Sequence, residues 1–330
     1  MKLGKVSEKL LKEVIFKHTG FRRNEVVLHA EYGEDCAAID LGQNLAVVTT
    51  DPITCADAKS GYLAVHVACN DLAACGAKPV AILTTILLPP ELEEKDFVEL
   101  MEQIDKACKK LQIEVVGGHT EVTDVVRKPL ICTTAIGSVE KGRLVKSSNA
   151  KPGDWIVVTK HVALEGTAIL AYDFEEILSK KFSKDFIENC KKLLEQISVV
   201  EEGLIASQLN VSAMHDITEG GLIGALCEVA KASKVGFEVY QEKIPVLYET
   251  KAVCEFLDIN PLKLISSGSM LICTFEPDKL VETLEKHSIK ATVIGKIIEK
   301  GFYLVDGVHK RIICEDLTDE IYKVRERFQR

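Results

Sequence analysis

Residues 65–79, VHVACNDLAACGAKP, set an Asn-Asp pair inside a run of small apolar side chains. Helical spacing puts Val65, Ala68, Cys69, Leu72, Ala73 and Gly76 on one face. Asn70 then points away from that stripe, and Asp71 lies beside it. Small residues let such a helix sit close to a sheet, where an ionised Asp71 is costly unless a cation or several donors meet it. A hard divalent ion would meet that need. The plainer alternative is an Asp on the solvent face of an amphipathic helix, so other carboxylates must decide.

Outward from this stretch, the first half alternates strands and helices. Strand 45–50 ends in Asp51-Pro52, which puts Asp51 at a strand's carboxyl edge, where α/β proteins tend to bind ligands. Before it, Gly33-Glu34-Asp35 forms a turn into the apolar run 36–39. Residues 5–18 read as a short helix capped by Ser7 and ended by Gly20; just ahead of it, Leu3-Gly4-Lys5 offers a lysine to a phosphate. After residue 79 come strand 80–88, the Pro89-Pro90 stop, helix 93–111 and strand 114–116, which runs into Gly117-Gly118-His119-Thr120-Glu121. Two glycines at a strand end permit close backbone approach to a ligand, or simply a turn. Strand 131–139 closes this half.

Between residues 146 and 154 the sequence becomes turn-rich, which divides the chain into domains 1–150 and 151–330. Two domains also suit 330 residues, because single cores stop growing near about 250 residues. The second half opens with strand 155–159 and a helix after Glu165-Gly166-Thr167. Helices near 184–197 and 199–209 follow, and strand 211–214 then runs into His215-Asp216-Ile217-Thr218-Glu219-Gly220-Gly221-Leu222 and a helix. A strand, polar glycine turn and helix start can hold an anion on free N–H groups, although Thr218 serves equally well as a helix cap. Residues 265–269 precede strand 270–275, and a charged helix covers 317–330.

Bulk properties narrow the function. Apolar residues make up 47% and charged ones 28%, as in ordinary soluble globular proteins. A net charge of -9 argues against nucleic acid or an anionic membrane as main partner. A phosphate ligand stays open, because a metal can supply the positive charge. No signal-peptide pattern occurs, and the longest apolar run, 80–88, is too short to cross a bilayer. Eleven cysteines without a CxxC pair read as reduced core residues of a cytoplasmic protein, with neither zinc nor a disulfide framework indicated.

Collected together, Asp35, Asp51, Asp71 and Glu121 are dispersed oxygen ligands of the kind that suit magnesium with a nucleotide polyphosphate. There is no Walker lysine loop and no dinucleotide glycine fingerprint. Spacing alone leaves the function undecided.

Six blocks carry a resemblance. GEDCAAI (33–39), TTDPI (49–53), NDLAACGAKP (70–79), GGHTEV (117–122), KPGDWIVVTK (151–160) and HDITEGGL (215–222) occur in the order found in the aminoimidazole ribonucleotide synthetase (PurM-like, AIR synthase-related) superfamily. That superfamily includes the hydrogenase-maturation (HypE-like) carbamoyl dehydratase, thiamine-monophosphate kinase, selenophosphate synthetase and formylglycinamidine synthetase. The chain is most similar to the hydrogenase-maturation branch and the synthetase-related proteins beside it. Residues 97–111 and the last 100 carry little of the likeness.

The resemblance implies an α/β fold in two halves. The amino-terminal sheets of two subunits would pair into a barrel in a homodimer, with a ferredoxin-like carboxyl-terminal half. It also implies ATP and Mg2+ in a cleft near the subunit interface. Asp35, Asp51 and Asp71 fall on the family's metal and phosphate positions, with Glu121 a further candidate ligand. Asn70, Gly117, Gly118 and Thr120 would line the nucleotide pocket; Asp216, Thr218, Gly220 and Gly221 would face it from the second half, and Lys5 would reach the phosphates. The implied chemistry is phosphoryl transfer from ATP to a substrate oxygen, achieved by positioning and by charge neutralisation.

Two departures qualify this. His119 stands where relatives place a carboxylate after the paired glycines, and it reads either as a catalytic group or as a packed histidine in a turn. The hydrogenase-maturation dehydratase ends in a cysteine carrier, whereas the last cysteine here, Cys314, reads as a core residue. A small molecule or a separate protein is therefore the expected substrate. A thiamine-monophosphate kinase, and a nucleotide-binding assembly or regulatory protein without turnover, are the alternatives.

Overall fold

The computed structural model describes residues 5, 7–19, 21–313 and 317–328. Cys314, expected in the core, lies outside them, as does Gly20. In the first half the elements are α1 (Glu8–Glu13), β1 (Val26–Leu28), β2 (Ala37–Asp40), β3 (Asn44–Ile53), α2 (Ser60–Ala74), β4 (Lys78–Leu88), α3 (Glu94–Leu111), β5 (Glu114–Val122) and β6 (Leu130–Glu140). Ser7 does cap α1, accepting from the Leu10 N–H, but the helix stops at Glu13. The sheet order is β1-β2-β3-β6-β4-β5, antiparallel except for β4 and β5, which α3 joins by a crossover. One face is packed by α2 and α3 through Ile82, Ile86, Ile104 and Ile131. On the other face Val80 and Leu83 remain exposed.

The second half contains β7 (Trp155–Thr159), α4 (Leu164–Asp173), α5 (Glu175–Leu178), α6 (Lys184–Lys192), α7 (Val200–Ala206), β8 (Val211–Asp216), α8 (Gly221–Ser233), β9 (Gly236–Tyr240), α9 (Tyr248–Leu257), β10 (Met270–Thr274), α10 (Pro277–Lys286), β11 (Ala291–Ile298), β12 (Phe302–Asp306), β13 (His309–Ile312) and α11 (Glu320–Phe328). Its strands run β13-β12-β9-β11-β7-β10-β8, antiparallel except for β9 with β12. The architecture is therefore α/β with two sheets, as expected.

Helix α2 differs from the one-sided helix that its spacing suggests. Thirteen of its fifteen residues are buried, His66, Asn70 and Asp71 among them, so it is covered on every side and carries no solvent face. The second half supplies the missing cover. Gly203 of α7 lies so close to α2 that an added Cβ would stand 2.2 Å from the Ala73 carbonyl oxygen. Small residues thus bring α2 close both to the first sheet and to the second half. The cysteines are mostly buried free thiols, with one exception to the reduced expectation: Cys227 is disulfide-bonded. No helix among the described residues is long and apolar enough to cross a membrane.

Candidate functional site

A cavity of about 300 Å³ lies where α2, the end of β3, the turn at residues 34–35 and the β8–α8 turn meet. Seven carboxylates line it, those of Glu34, Asp35, Asp51, Asp71, Glu165, Asp216 and Glu219, against one lysine and one histidine, Lys5 and His215. Asp35, Asp51 and Asp71, more than 15 residues apart in the chain, thus share one hollow with Asp216 and Thr218.

Each acid is placed by its own element. Strand β3 runs on to Ile53, three residues past the expected end, so Asp51 sits within it beside Thr49. The Thr49 hydroxyl donates to Asp71 Oδ2 at 2.7 Å and lies 3.3 Å from Asp51 Oδ2. Asp71, on α2, is 8% exposed, and burial, followed by the charges of Asp51 and Asp216, holds its carboxyl well above the ordinary range. Asp216, the last residue of β8, is 1% exposed. Burial and then Asp35 push it up to about 7. Its Oδ2 is buried without a hydrogen-bond partner.

Asp35 is held differently. His215 Nδ1 lies 2.6 Å from Asp35 Oδ1 and its Nε2 3.0 Å from Glu228 Oε2. Burial pulls the imidazole pKa down, but the two carboxylates outweigh it and raise the pKa well above the ordinary value. His215 is thus an imidazolium donating from both nitrogens. Burial pushes Glu228 up, yet Lys5 and His215 bring it down to about 2. Lys5 Nζ completes the chain at 3.0 Å from Glu228 Oε1, and the Ser147 hydroxyl sits 3.2 Å from Asp35 Oδ2. Lys5 lines the cavity, but its charge is shared with Glu228. His215, Glu228, Ser147 and Thr49 carry this geometry and are not among the sequence-derived site residues. His215 was within reach, since it opens the HDITEGGL block, whereas Glu228 follows thirteen residues later with no local signal.

Other expected residues lie elsewhere. Asn70 is fully buried, its amide N–H donating to the Ile197 carbonyl and its Oδ1 accepting from the Val199 N–H, both at 2.8 Å. It braces the two halves and does not line the cavity. Gly117, Gly118, His119, Thr120 and Glu121 do not form a turn: β5 continues through them to Val122 as an exposed edge strand. Gly118 is required by the sheet, since a Cβ there would stand 2.0 Å from the Thr84 carbonyl oxygen. His119 Nε2 lies 3.3 Å from Glu121 Oε2, and both are exposed, away from this cavity. Gly220 and Gly221 do form the positive-φ start of α8, but the Gly220 N–H donates to Asp319 Oδ2 at 2.7 Å. The chain's own carboxylate occupies the place expected for an anion. Gly221 instead allows close packing, its Cβ position falling 2.7 Å from the Leu262 carbonyl.

The donor set fits a hard cation: oxygen ligands only, mutually repelling, with a buried carboxylate oxygen, Asp216 Oδ2, unmet. Among the described residues no three acidic, histidine or cysteine side chains already converge on a single metal position.

Comparisons with known proteins accord with this architecture. Residues 33–139 match the family model described as AIR synthase related protein, N-terminal domain, and residues 151–307 its C-terminal domain. The chain is 31% identical to a hydrogenase expression/formation protein of Methanocaldococcus jannaschii over 97% of each chain. It is 29% identical to the thiamine-monophosphate kinase of Pyrococcus horikoshii over 82% of this chain and 85% of that protein. Among solved structures, the HypE-HypF complex aligns with a TM-score of 0.77 at 24% identity, over 93% of this chain and 99% of that one. The hydrogenase maturation protein HypE in complex with ATP aligns at 0.68 and 22% identity, over 96% and 97%. At these identities the two structures speak for the fold.

Proposed function

The chain belongs to the AIR synthase-related family, and from that premise we propose that it is a magnesium- and ATP-dependent enzyme that transfers a phosphoryl group to a substrate oxygen. The observation that carries this is the acid-lined cavity. Seven carboxylates against two cationic groups repel a free triphosphate, but they accept one that arrives with divalent cations. The unmet Asp216 Oδ2 and the raised Asp71 and Asp216 carboxyls mark where that charge is missing.

Asp71 and Asp216 would hold the metal, Asp51 would lie beside them at Thr49, and His215 and Ser147 orient Asp35 at the cavity wall. Bound magnesium would neutralise charge between the phosphates as the γ-phosphoryl group moves. The protein's own part is positioning: Thr49 fixes Asp71, Lys5 stands at the cavity as a point charge, and Thr218 and Ser267 border the space beyond the acids. The acceptor is a small molecule or a separate protein.

In a homodimer, the exposed faces of two first sheets would meet in a barrel. The exposed apolar residues Val80, Leu83 and Val116 support this, and pairing there would also cover β5 and bring Gly117–Glu121 of the edge strand near a subunit boundary. Domains 1–150 and 151–330 would then supply the two walls of the cavity.

The test is calorimetry with ATP, with and without magnesium, on the wild type and Asp216→Asn, together with phosphate release in the presence of candidate acceptors. Binding that needs magnesium and is lost in Asp216→Asn is expected. Magnesium-independent binding would overturn the proposal. Thiamine monophosphate serves as one acceptor, because a kinase is among the similar proteins; its phosphorylation would move the chain to that reading.

A further inference from the structure

Helix α2 separates two hollows. Val67 and Asp71 face the acid cavity, and Tyr62, on the opposite side of the helix, faces a larger one of about 750 Å³. We propose that this second hollow, a cleft between α3 of the first half and α6 of the second, binds a small phosphorylated ligand that carries a flat ring. Its size falls in the range of about 300–1,000 Å³ usual for small-molecule sites.

The charge pattern points to the phosphate. Six lysines and four glutamates line the cleft. Lys59 is paired with Glu99 at 3.0 Å, and Lys191 with Glu188 at 2.9 Å. Lys110 is different: its ammonium donates to the Tyr62 hydroxyl at 3.1 Å and to the Glu195 main-chain carbonyl at 3.0 Å, both neutral acceptors. Its charge is therefore held in place without being cancelled. Lys106, one turn earlier on α3, and Lys192, at the end of α6, make no ion pair among the described residues. Three lysines lining the cleft, Lys106, Lys110 and Lys192, thus carry no carboxylate partner among the described residues, a set suited to a phosphate as point charges.

Beneath the cleft the positive field is felt in the core. His66 is fully buried, its ring centroid 4.4 Å from that of Tyr62 and tilted by 54° to it, and neither ring nitrogen has a partner. Burial and then Lys110 and Lys160 hold it neutral, at about 3. The ring-binding part comes from half-buried Tyr172, with the exposed Val98 and the edges of the buried Tyr62 and Leu194 also lining the cleft. Lys191 lies 5.5 Å over the Tyr172 ring. Because the walls belong to both halves, a ligand here would bridge them.

The probe is flavin mononucleotide, whose fluorescence is quenched on stacking with tyrosine, with riboflavin and inorganic pyrophosphate as companions. Saturable quenching by the wild type is expected, at least tenfold weaker for riboflavin and displaced by pyrophosphate. The double variant Lys106→Glu/Lys192→Glu is expected to bind at least tenfold more weakly. The milder Lys106→Gln/Lys192→Gln pair keeps the test decisive if the reversal impairs folding. Asp71→Asn, in the other cavity, is expected to leave flavin mononucleotide binding unchanged, which separates this site from the proposed ATP site. Absence of saturable quenching, equal binding by both lysine variants, or loss of binding in Asp71→Asn would overturn the inference.

Discussion

Two polar segments with glycines, GGHTE at residues 117–121 and HDITEGG at 215–221, look alike in sequence and end in opposite settings. The first continues an exposed edge strand, with His119 and Glu121 paired to each other in solvent. The second turns from β8 into α8 and buries His215 and Asp216 against the first half. The contrast teaches that glycine pairs after a strand report backbone crowding before they report a ligand. Gly118 answers to the Thr84 carbonyl, and Gly221 to the Leu262 carbonyl. What distinguishes the segments chemically is burial: only the second buries titratable side chains, His215 between two carboxylates and Asp216 with an unmet oxygen.

The sharpest way to break the contrast is at its centre. Replacing His215 by Leu leaves Asp35 and Glu228 buried without their shared imidazolium, and a loss of about 3–5 kcal/mol is expected in urea unfolding. On the edge strand, Gly118→Ala forces a Cβ to within 2.0 Å of Thr84. A loss on the order of 3 kcal/mol is expected by the same measurement, with the sheet and not the acid cavity as its origin.

The pH dependence sharpens the same point. Asp216 and Asp319 both sit at about 7 in the folded protein, above their ordinary value of 3.8. Between those values the folded state holds protons that the unfolded state has shed. The stability linked to them is full below about pH 4 and is lost as pH rises through 7. Metal-free protein should therefore lose a few kcal/mol across that window, and Asp216→Asn should flatten the decline. A profile that rises from pH 4 to 7 in both proteins would contradict the assignment. The smallest effect is expected from His119→Ala in the isolated subunit, within about 0.5 kcal/mol, because that side chain is exposed.

The sequence made the two-sheet α/β layout legible, because strands and helices alternate with clear turn signals. It also brought Asp35, Asp51 and Asp216 into view, since each stands at or beside a turn or strand end, and Asp71, a carboxylate among the small apolar residues of a helix. Asn70 misled because its partners, Ile197 and Val199, lie far along the chain. Helix α2 was legible as a helix but not as one buried on every side, because its second cover, α7, comes from the other half. The strand through Gly117 and Gly118 was hidden, since glycine pairs ordinarily end strands. The Lys5, Glu228, His215 and Asp35 chain spans more than 200 residues and has no periodic signature.

The most direct test of the central claim is the thermal stability of the wild type and of Asp71→Asn, each with ATP alone and with ATP plus magnesium. The melting temperature of the wild type should rise only when both are present, and that of Asp71→Asn, whose circular dichroism stays native, should not rise. An unchanged rise in Asp71→Asn, or an equal rise with ATP alone, would contradict it.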